Sequence, residues 1–251
     1  MKKIFISLVL LFALTVGVTA NISTKRLEWY FKPSAKGERP SAPTEAHFIS
    51  EYDTHYIGPD EKKVYLTFDL GYENENVKSI LDTLHAENVK ATFFLLRHTV
   101  VGGKNLDRII ADGHLCANHT LHHKDMTKMQ ESESFKAELE GLASDYKEVT
   151  GKELAKIYRP PCGAFSEQSL AWAKELGYKT VFWSLAYADW DEKHQMSPEA
   201  AMNKLMSRMH NGAVILLHPT SSTNAKIMPE LIKRLKAEGY EFGTVDELHN
   251  A

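Results

Sequence analysis

The chain has 251 residues, with 30 basic and 33 acidic side chains and a formal net charge of −3. That length holds one domain with a full hydrophobic core. The balanced charge excludes a phosphate-binding surface, so nucleic acid is not an expected partner.

The N-terminus opens with a short positive region, Lys2-Lys3, followed by an apolar run from Ile4 to Val18. Small residues at Val18-Thr19-Ala20 complete the pattern of an export signal cleaved after Ala20. The run is shorter than the ~20 apolar residues of a membrane span. Residues 1–20 therefore read as a signal peptide, with an uncleaved anchor as the alternative. The mature protein is expected outside the cytoplasmic membrane, in the cell wall or at the outer face of that membrane, or in the forespore or intermembrane space of a spore former.

Residues 21–60 read as an irregular N-terminal strap, broken by Pro33, Pro40, Pro43 and Pro59, with one short helix over Thr44 to Tyr52. From residue 61 to 251 the pattern alternates. Val64 to Phe68 is an apolar run that predicts a strand entering a loop at Asp69-Leu70-Gly71. Val77, Ile80, Leu81 and Leu84 give helical spacing over Asn74 to Glu87. A second strand is expected over Ala91 to Leu96, a helix over Leu106 to Asp112, and a short strand over Leu115 to Ala117.

Phe135, Leu139, Leu142 and Tyr146 predict a helix over Ser132 to Thr150. Ile157-Tyr158 is a short strand before Arg159-Pro160-Pro161, and Ser166 to Leu176 is a helix stopped at Gly177. Strands are expected over Thr180 to Ser184, Val214 to Leu217 and Tyr240 to Thr244, with helices over Pro198 to His210 and Lys226 to Glu238 between them.

Such alternation implies an α/β fold with a parallel sheet and crossover helices. The polar residues of interest, Asp69, His119, Arg159, Asp189 and His218, sit just past the ends of different strands. Active sites of closed β/α barrels lie there. A distorted (β/α) barrel of about seven parallel strands in one domain is the expected fold. A doubly wound open sheet is the alternative.

His119 and His123, four residues apart, suit a transition-metal site, since imidazole is a ready zinc ligand. Polar histidines in a surface turn are the plainer reading. Asp69 ends an apolar strand, where a buried unpaired charge is costly. It suits a general base that activates water, or else a turn aspartate. Leu70, next to it, offers no ligand atom.

Arg159 stands before two stiffening prolines and could hold Asp69 through two hydrogen bonds. His218, at the end of Val214 to Leu217, suits a general acid, and Asp189 could orient it and raise its pKa. Tyr72, Tyr187 and Trp190 could line a sugar-binding groove, or else pack in a core. Cys162 lies in the Arg159 loop and is a further substrate-binding candidate, with a view of the metal as the alternative. The other cysteine is Cys116, and sequence leaves open whether the two are bonded or are free thiols.

Five segments in order resemble the motifs of the polysaccharide deacetylase family over roughly residues 62–248. They are Thr67-Phe68-Asp69-Leu70-Gly71, His119-Thr120-Leu121-His122-His123, Arg159-Pro160-Pro161-Cys162-Gly163, Asp189-Trp190 and Leu216-Leu217-His218-Pro219. Tyr65 to Asp69, Gly71-Tyr72-Glu73-Asn74, Val181 to Ser184 and the stretch Leu27 to Tyr56 are similar to the delta-lactam-biosynthetic branch.

That resemblance implies hydrolytic removal of the N-acetyl group from N-acetylmuramic acid in peptidoglycan. An N-acetylmuramoyl-L-alanine amidase acts first, and muramic delta-lactam in the spore cortex follows. It further implies Asp69 as catalytic base, His218 as acid, Arg159 as partner of Asp69, and Asp189 as partner of His218. His119 and His123 are the implied metal ligands.

The implied ion is divalent: zinc, with manganese or cobalt as alternatives. The family's third protein ligand is the second aspartate of the first motif, which is Leu70 here, so the ion is expected to be weakly bound. Glycan strands are the expected partner, and a monomer the expected state. Alternatives are a chitin or xylan deacetylase and a non-catalytic glycan-binding relative.

Overall fold

A computed structural model describes residues 22–249, so the expected signal peptide at 1–20 lies outside the described residues. The strands are β1 (Leu27–Glu28), β2 (Thr54–His55), β3 (Lys63–Leu70), β4 (Thr92–Leu95), β5 (Leu115–Asn118), β6 (Ile157–Tyr158), β7 (Ala164–Phe165), β8 (Lys179–Val181), β9 (Leu185–Ala186), β10 (Ala213–Leu217) and β11 (Glu241–Gly243). The helices are α1 (Glu75–Ala86), α2 (Arg97–Val100), α3 (Leu106–Ala111), α4 (Ser132–Thr150), α5 (Glu167–Glu175), α6 (Pro198–Met206) and α7 (Ser222–Ala237).

Nine strands form one sheet in the order β2-β8-β6-β5-β4-β3-β10-β9, with β11 beside β3. Every ladder in it is parallel. β8 and β9 are six steps apart along this order, yet only Phe182, Trp183 and Ser184 separate them in the chain. Six steps at ~4.8 Å would need ~29 Å across a flat sheet, whereas four residues of extended chain reach at most ~14 Å. The sheet must therefore curl until its edges meet. It forms a distorted α/β barrel in one domain, as the alternation predicts.

Strand period sorts the barrel's layers. Along β3, Val64, Leu66, Phe68 and Leu70 belong to the core shared with the helices, and Tyr65 belongs to the inner cluster with Phe94, Ala117, Val181 and Val214. Helix α1 buries Val77, Ile80, Leu81 and Leu84 in the outer core. Each of these contributes ~1.5–3 kcal/mol of apolar burial. Asn74 caps α1 by accepting from the Asn76 N–H at 3.0 Å, worth ~1 kcal/mol.

Several boundaries differ from expectation. The helix expected over 44–52 is two 3₁₀ turns, Thr44–Ala46 and Ile49–Tyr52. Asp69 and Leu70 lie inside β3 because the ladder to β4 continues to the Leu70–Leu95 pair. The strand expected over 180–184 ends at Val181 with β8, and Phe182 to Ser184 are the link to β9. Helix α7 starts at Ser222 rather than Lys226, since Ser221 caps it through the Asn224 N–H.

The strap is also more deeply engaged than its irregular pattern suggests. Its residues Thr54–His55 pair with β8, and Leu27–Glu28 pair antiparallel with β7. Trp29 stacks on Phe182 at 4.5 Å between centroids and donates its indole N–H to the Trp183 carbonyl at 2.9 Å.

Candidate active site

Asp69 projects from the end of β3 onto Arg159, which follows β6. Arg159 is fully buried, and its Nη1 donates to Asp69 Oδ1 at 2.8 Å. Its Nε donates to the Val181 carbonyl at 3.0 Å and its Nη2 to the Phe182 carbonyl at 3.1 Å. The guanidinium also lies 4.0 Å from the Phe94 ring centroid. It is thus fixed on several sides, and its contact with Asp69 is through one nitrogen rather than two. Burial alone would raise the Asp69 pKa. The Arg159 charge, with His119 and His218, outweighs burial and holds the carboxyl below the usual carboxylate range.

The histidine turn begins at the end of β5. The Asn118 side chain donates to the Leu139 carbonyl at 2.8 Å and accepts from the Thr120 N–H at 2.8 Å. Thr120 (φ 73°) and His123 (φ 56°) are left-handed, which folds the turn back on itself. Each such residue costs on the order of 1 kcal/mol. Thr120 Oγ1 accepting from the His123 N–H at 2.9 Å, and Glu138 accepting from the His122 N–H at 2.9 Å, offset that cost. His122 itself points to Glu138 and stays half in solvent.

His119 Nδ1 is bonded to the Arg159 carbonyl at 2.9 Å, which leaves Nε2 facing Asp69 Oδ2 at 3.6 Å. The His119 and His123 ring centroids are 4.9 Å apart. Burial pushes His119 down to about 4, against the pull of Asp69, and burial lowers His123 as well. Both rings are therefore neutral at pH 7, the form that ligates metal. The chemistry of this pair fits a borderline-soft divalent ion, and the bonded Nδ1 is the usual way to orient such a ligand.

The pair stops at two donors. Among the described residues, no group of three or more His, Cys, Asp or Glu side chains could hold a metal. Leu70 is 1% exposed and belongs to the outer core, a cluster that also takes in Leu121 of the histidine turn.

Opposite this group stands His218, after β10. Its Nδ1 bonds Asp189 Oδ1 at 2.7 Å, and its backbone N–H donates to Asp189 Oδ2 at 2.8 Å. Burial would lower the His218 pKa, but the hydrogen bond and charge of Asp189 outweigh it and leave it above the ordinary value. With Nδ1 donating to Asp189, Nε2 is free to give a proton.

Asp69, His119, His123 and His218 line one cavity of about 520 Å³, together with Cys162, Gly163, Trp183, Trp190 and Leu216. Trp190 is an open wall, 65% exposed. Gly163 is required where it stands. Its φ is +66°, and a Cβ there would lie 2.8 Å from the Trp183 ring and 3.2 Å from Trp29.

Two groove candidates are corrected. Tyr187 is buried and directs its hydroxyl to Asn224, because the chain at 187–189 turns inward under α7. Tyr72 is exposed but absent from the cavity wall, and its hydroxyl is near Glu192 and Thr220. Sequence reasoning missed Trp183, Leu216 and Asn224 as parts of the site. Trp183 and Leu216 sit inside the quoted motifs, so that signal was present. Cys116 and Cys162 are free thiols.

The polysaccharide deacetylase family model matches residues 57–181. The peptidoglycan-N-acetylmuramic acid deacetylase PdaA of Bacillus subtilis (strain 168) is 37% identical over 230 residues, 90% of this chain and 87% of the relative. The solved structure of PdaA, a family 4 carbohydrate esterase, aligns with a TM-score of 0.86 over 90% of this chain and 98% of that one. A family 4 carbohydrate esterase from Bacillus anthracis aligns at 0.76 and 33% identity, covering 91% and 98%. A family 4 pseudoenzyme from Bacillus anthracis aligns at 0.69 and 29% identity, covering 77% and 67%. The chain belongs to the polysaccharide deacetylase family, the family 4 carbohydrate esterases.

Proposed function

We propose that this protein hydrolyses the N-acetyl amide of N-acetylmuramic acid residues in peptidoglycan. The observation that carries the reading is the meeting, in one cavity, of a carboxylate held by a guanidinium and an imidazole held by a carboxylate. The first arrangement keeps a base ionised, and the second keeps an acid charged. The 37% identity to PdaA over most of both chains supports the choice of glycan.

Asp69 takes a proton from the attacking water as its oxygen bonds the acetyl carbon. Arg159 holds Asp69 in its ionised form and fixed in direction. His218 gives the Nε2 proton to the departing sugar nitrogen, and the C–N bond breaks to leave acetate and a free amine. A divalent ion held by His119 and His123 (zinc, or manganese or cobalt) would supply Lewis-acid polarisation of the acetyl carbonyl. With two protein donors its binding is weak. Trp190 offers a flat face to a pyranose ring, and Trp183, Cys162 and Leu216 close the pocket around the acetyl group.

The setting follows from the substrate. The protein is exported through the segment 1–20, acts as a monomer on the cell wall, and follows an amidase that strips the stem peptide. Its product cyclises to muramic delta-lactam in spore cortex. Acetate release is expected from amidase-treated peptidoglycan with added zinc, manganese or cobalt, and little from untreated peptidoglycan. A folded protein that releases none with any of these metals overturns the reading, and the two-donor metal pair would then mark a glycan-binding relative.

A further inference from the structure

We infer that Asn224, held in turn by Tyr187, is a positioning residue that clamps the Asp189–His218 pair into one orientation. The inference rests on the reading of His218 as proton donor. Asn224 is fully buried at the start of α7, where its backbone N–H donates to the capping Ser221 Oγ at 3.1 Å. That cap sets the helix phase which aims the amide at the site.

The amide grips both members of the pair. Asn224 Nδ2 donates to Asp189 Oδ2 at 2.6 Å and to the His218 carbonyl at 3.0 Å. Its Oδ1 accepts from the Tyr187 hydroxyl. The reverse amide orientation would set an oxygen against two acceptors, so only this one is bonded throughout. Tyr187 thereby fixes which end of Asn224 meets the carboxylate.

Asp189 is 1% exposed, and both of its oxygens accept. Oδ1 takes the His218 Nδ1 proton, while Oδ2 takes the His218 backbone N–H and Asn224 Nδ2. The Gln195 side chain also donates to the Asp189 carbonyl at 2.9 Å. The three contacts on the carboxylate itself all use its oxygens as acceptors. Of the two side chains that meet it, His218 is the reacting one. Asn224 is the fixed reference against which the ring is set, with Nε2 toward the cavity. Its grip on the His218 carbonyl ties the same reference to the backbone at the end of β10.

The test uses full-length Asn224→Ala and Tyr187→Phe proteins with two readouts. The first is the downfield NMR resonance of the His218 Nδ1–H proton without substrate. The second is the kcat and KM of acetate release from amidase-treated glycan with added zinc. For Asn224→Ala the expected result is a broadened or upfield-shifted Nδ1–H signal, kcat lower by about tenfold, the rate equivalent of one buried hydrogen bond, and KM unchanged. Tyr187→Phe, which keeps the ring packing, is expected to shift both readouts in the same direction by a smaller amount.

An unchanged Nδ1–H signal and kcat in either folded variant overturns the inference. If Asn224→Ala fails to fold, Tyr187→Phe alone decides it. A shifted Nδ1–H signal in proteins that release no acetate, the parent included, would support the clamp and overturn the activity instead.

Discussion

The two halves of the site hold their charges in mirrored ways. On the base side, a buried cation (Arg159) fixes an anion that meets the cavity (Asp69). On the acid side, a buried anion (Asp189) fixes a ring that meets the cavity (His218). The supports differ in kind. Arg159 is anchored on the carbonyls of Val181, at the end of β8, and Phe182, just after it, and on the face of Phe94, so the barrel wall holds the proposed base. Asp189 is anchored by the backbone N–H of His218 and by Asn224 of α7, so a loop and a helix start hold the proposed acid. Damage to the base half should therefore cost fold as well as rate, whereas damage to the acid half should fall mainly on rate.

The largest expected effect breaks the base half. Arg159→Met leaves Asp69 buried without its cation, a loss of ~3–5 kcal/mol, read as a lower urea midpoint. Asp69→Asn should cut turnover by ~10²–10⁴-fold, the range of a general base. A full-rate Asp69→Asn protein would remove the base assignment. A fully stable Arg159→Met protein would show that the wall does not depend on the pair.

Next is the acid half, which pH dissects. His218 sits above its ordinary pKa, so its protonated form is lost only as pH rises through that raised value. Asp189→Asn removes the group that raises it. The alkaline fall in kcat/KM should then move to lower pH, with the urea midpoint changed less than in Arg159→Met. An alkaline limb that stays put would detach Asp189 from His218. The acid limb has a different source. Burial lowers both His119 and His123, so metal retention should hold across neutral pH and fail as the pH falls through their lowered values.

Leu70→Asp sharpens the comparison between core and site. It exchanges a core side chain for a carboxylate beside the histidine turn. Metal affinity is expected to rise by at least about tenfold, as a third donor joins the pair. Stability of the metal-free protein should drop, because the outer core receives a charge. Equal affinities would show that position 70 faces only the core. The smallest effect belongs to Trp29→Phe. It keeps an aromatic ring against Phe182 and loses the hydrogen bond to the Trp183 carbonyl, ~1 kcal/mol, with a modest rise in KM as that wall of the cavity loosens. An unchanged KM would confine the strap to a structural role.

Local pattern was enough for the alternation, the one-domain α/β barrel, and the presence of Asp69, His119, Arg159, Asp189 and His218 at strand ends. These are local signals: apolar period reports burial, and a polar residue ending an apolar strand marks a place where charge must be satisfied. Tertiary structure decided the rest. Asp69 and Arg159 are 90 residues apart, and only a curled sheet sets their strand ends together.

Asn224 lies in an ordinary-looking helix start, and nothing local predicts that its amide meets Asp189 from 35 residues away. Tyr187 reads as a groove aromatic, yet α7 covers it and turns it to hydrogen bonding within the fold. Leu70 reads as a missing ligand, whereas packing gives it a positive role in the outer core. Local pattern tells which residues must be buried or satisfied. Which partner satisfies each of them depends on how the barrel closes, and that is a property of the whole chain.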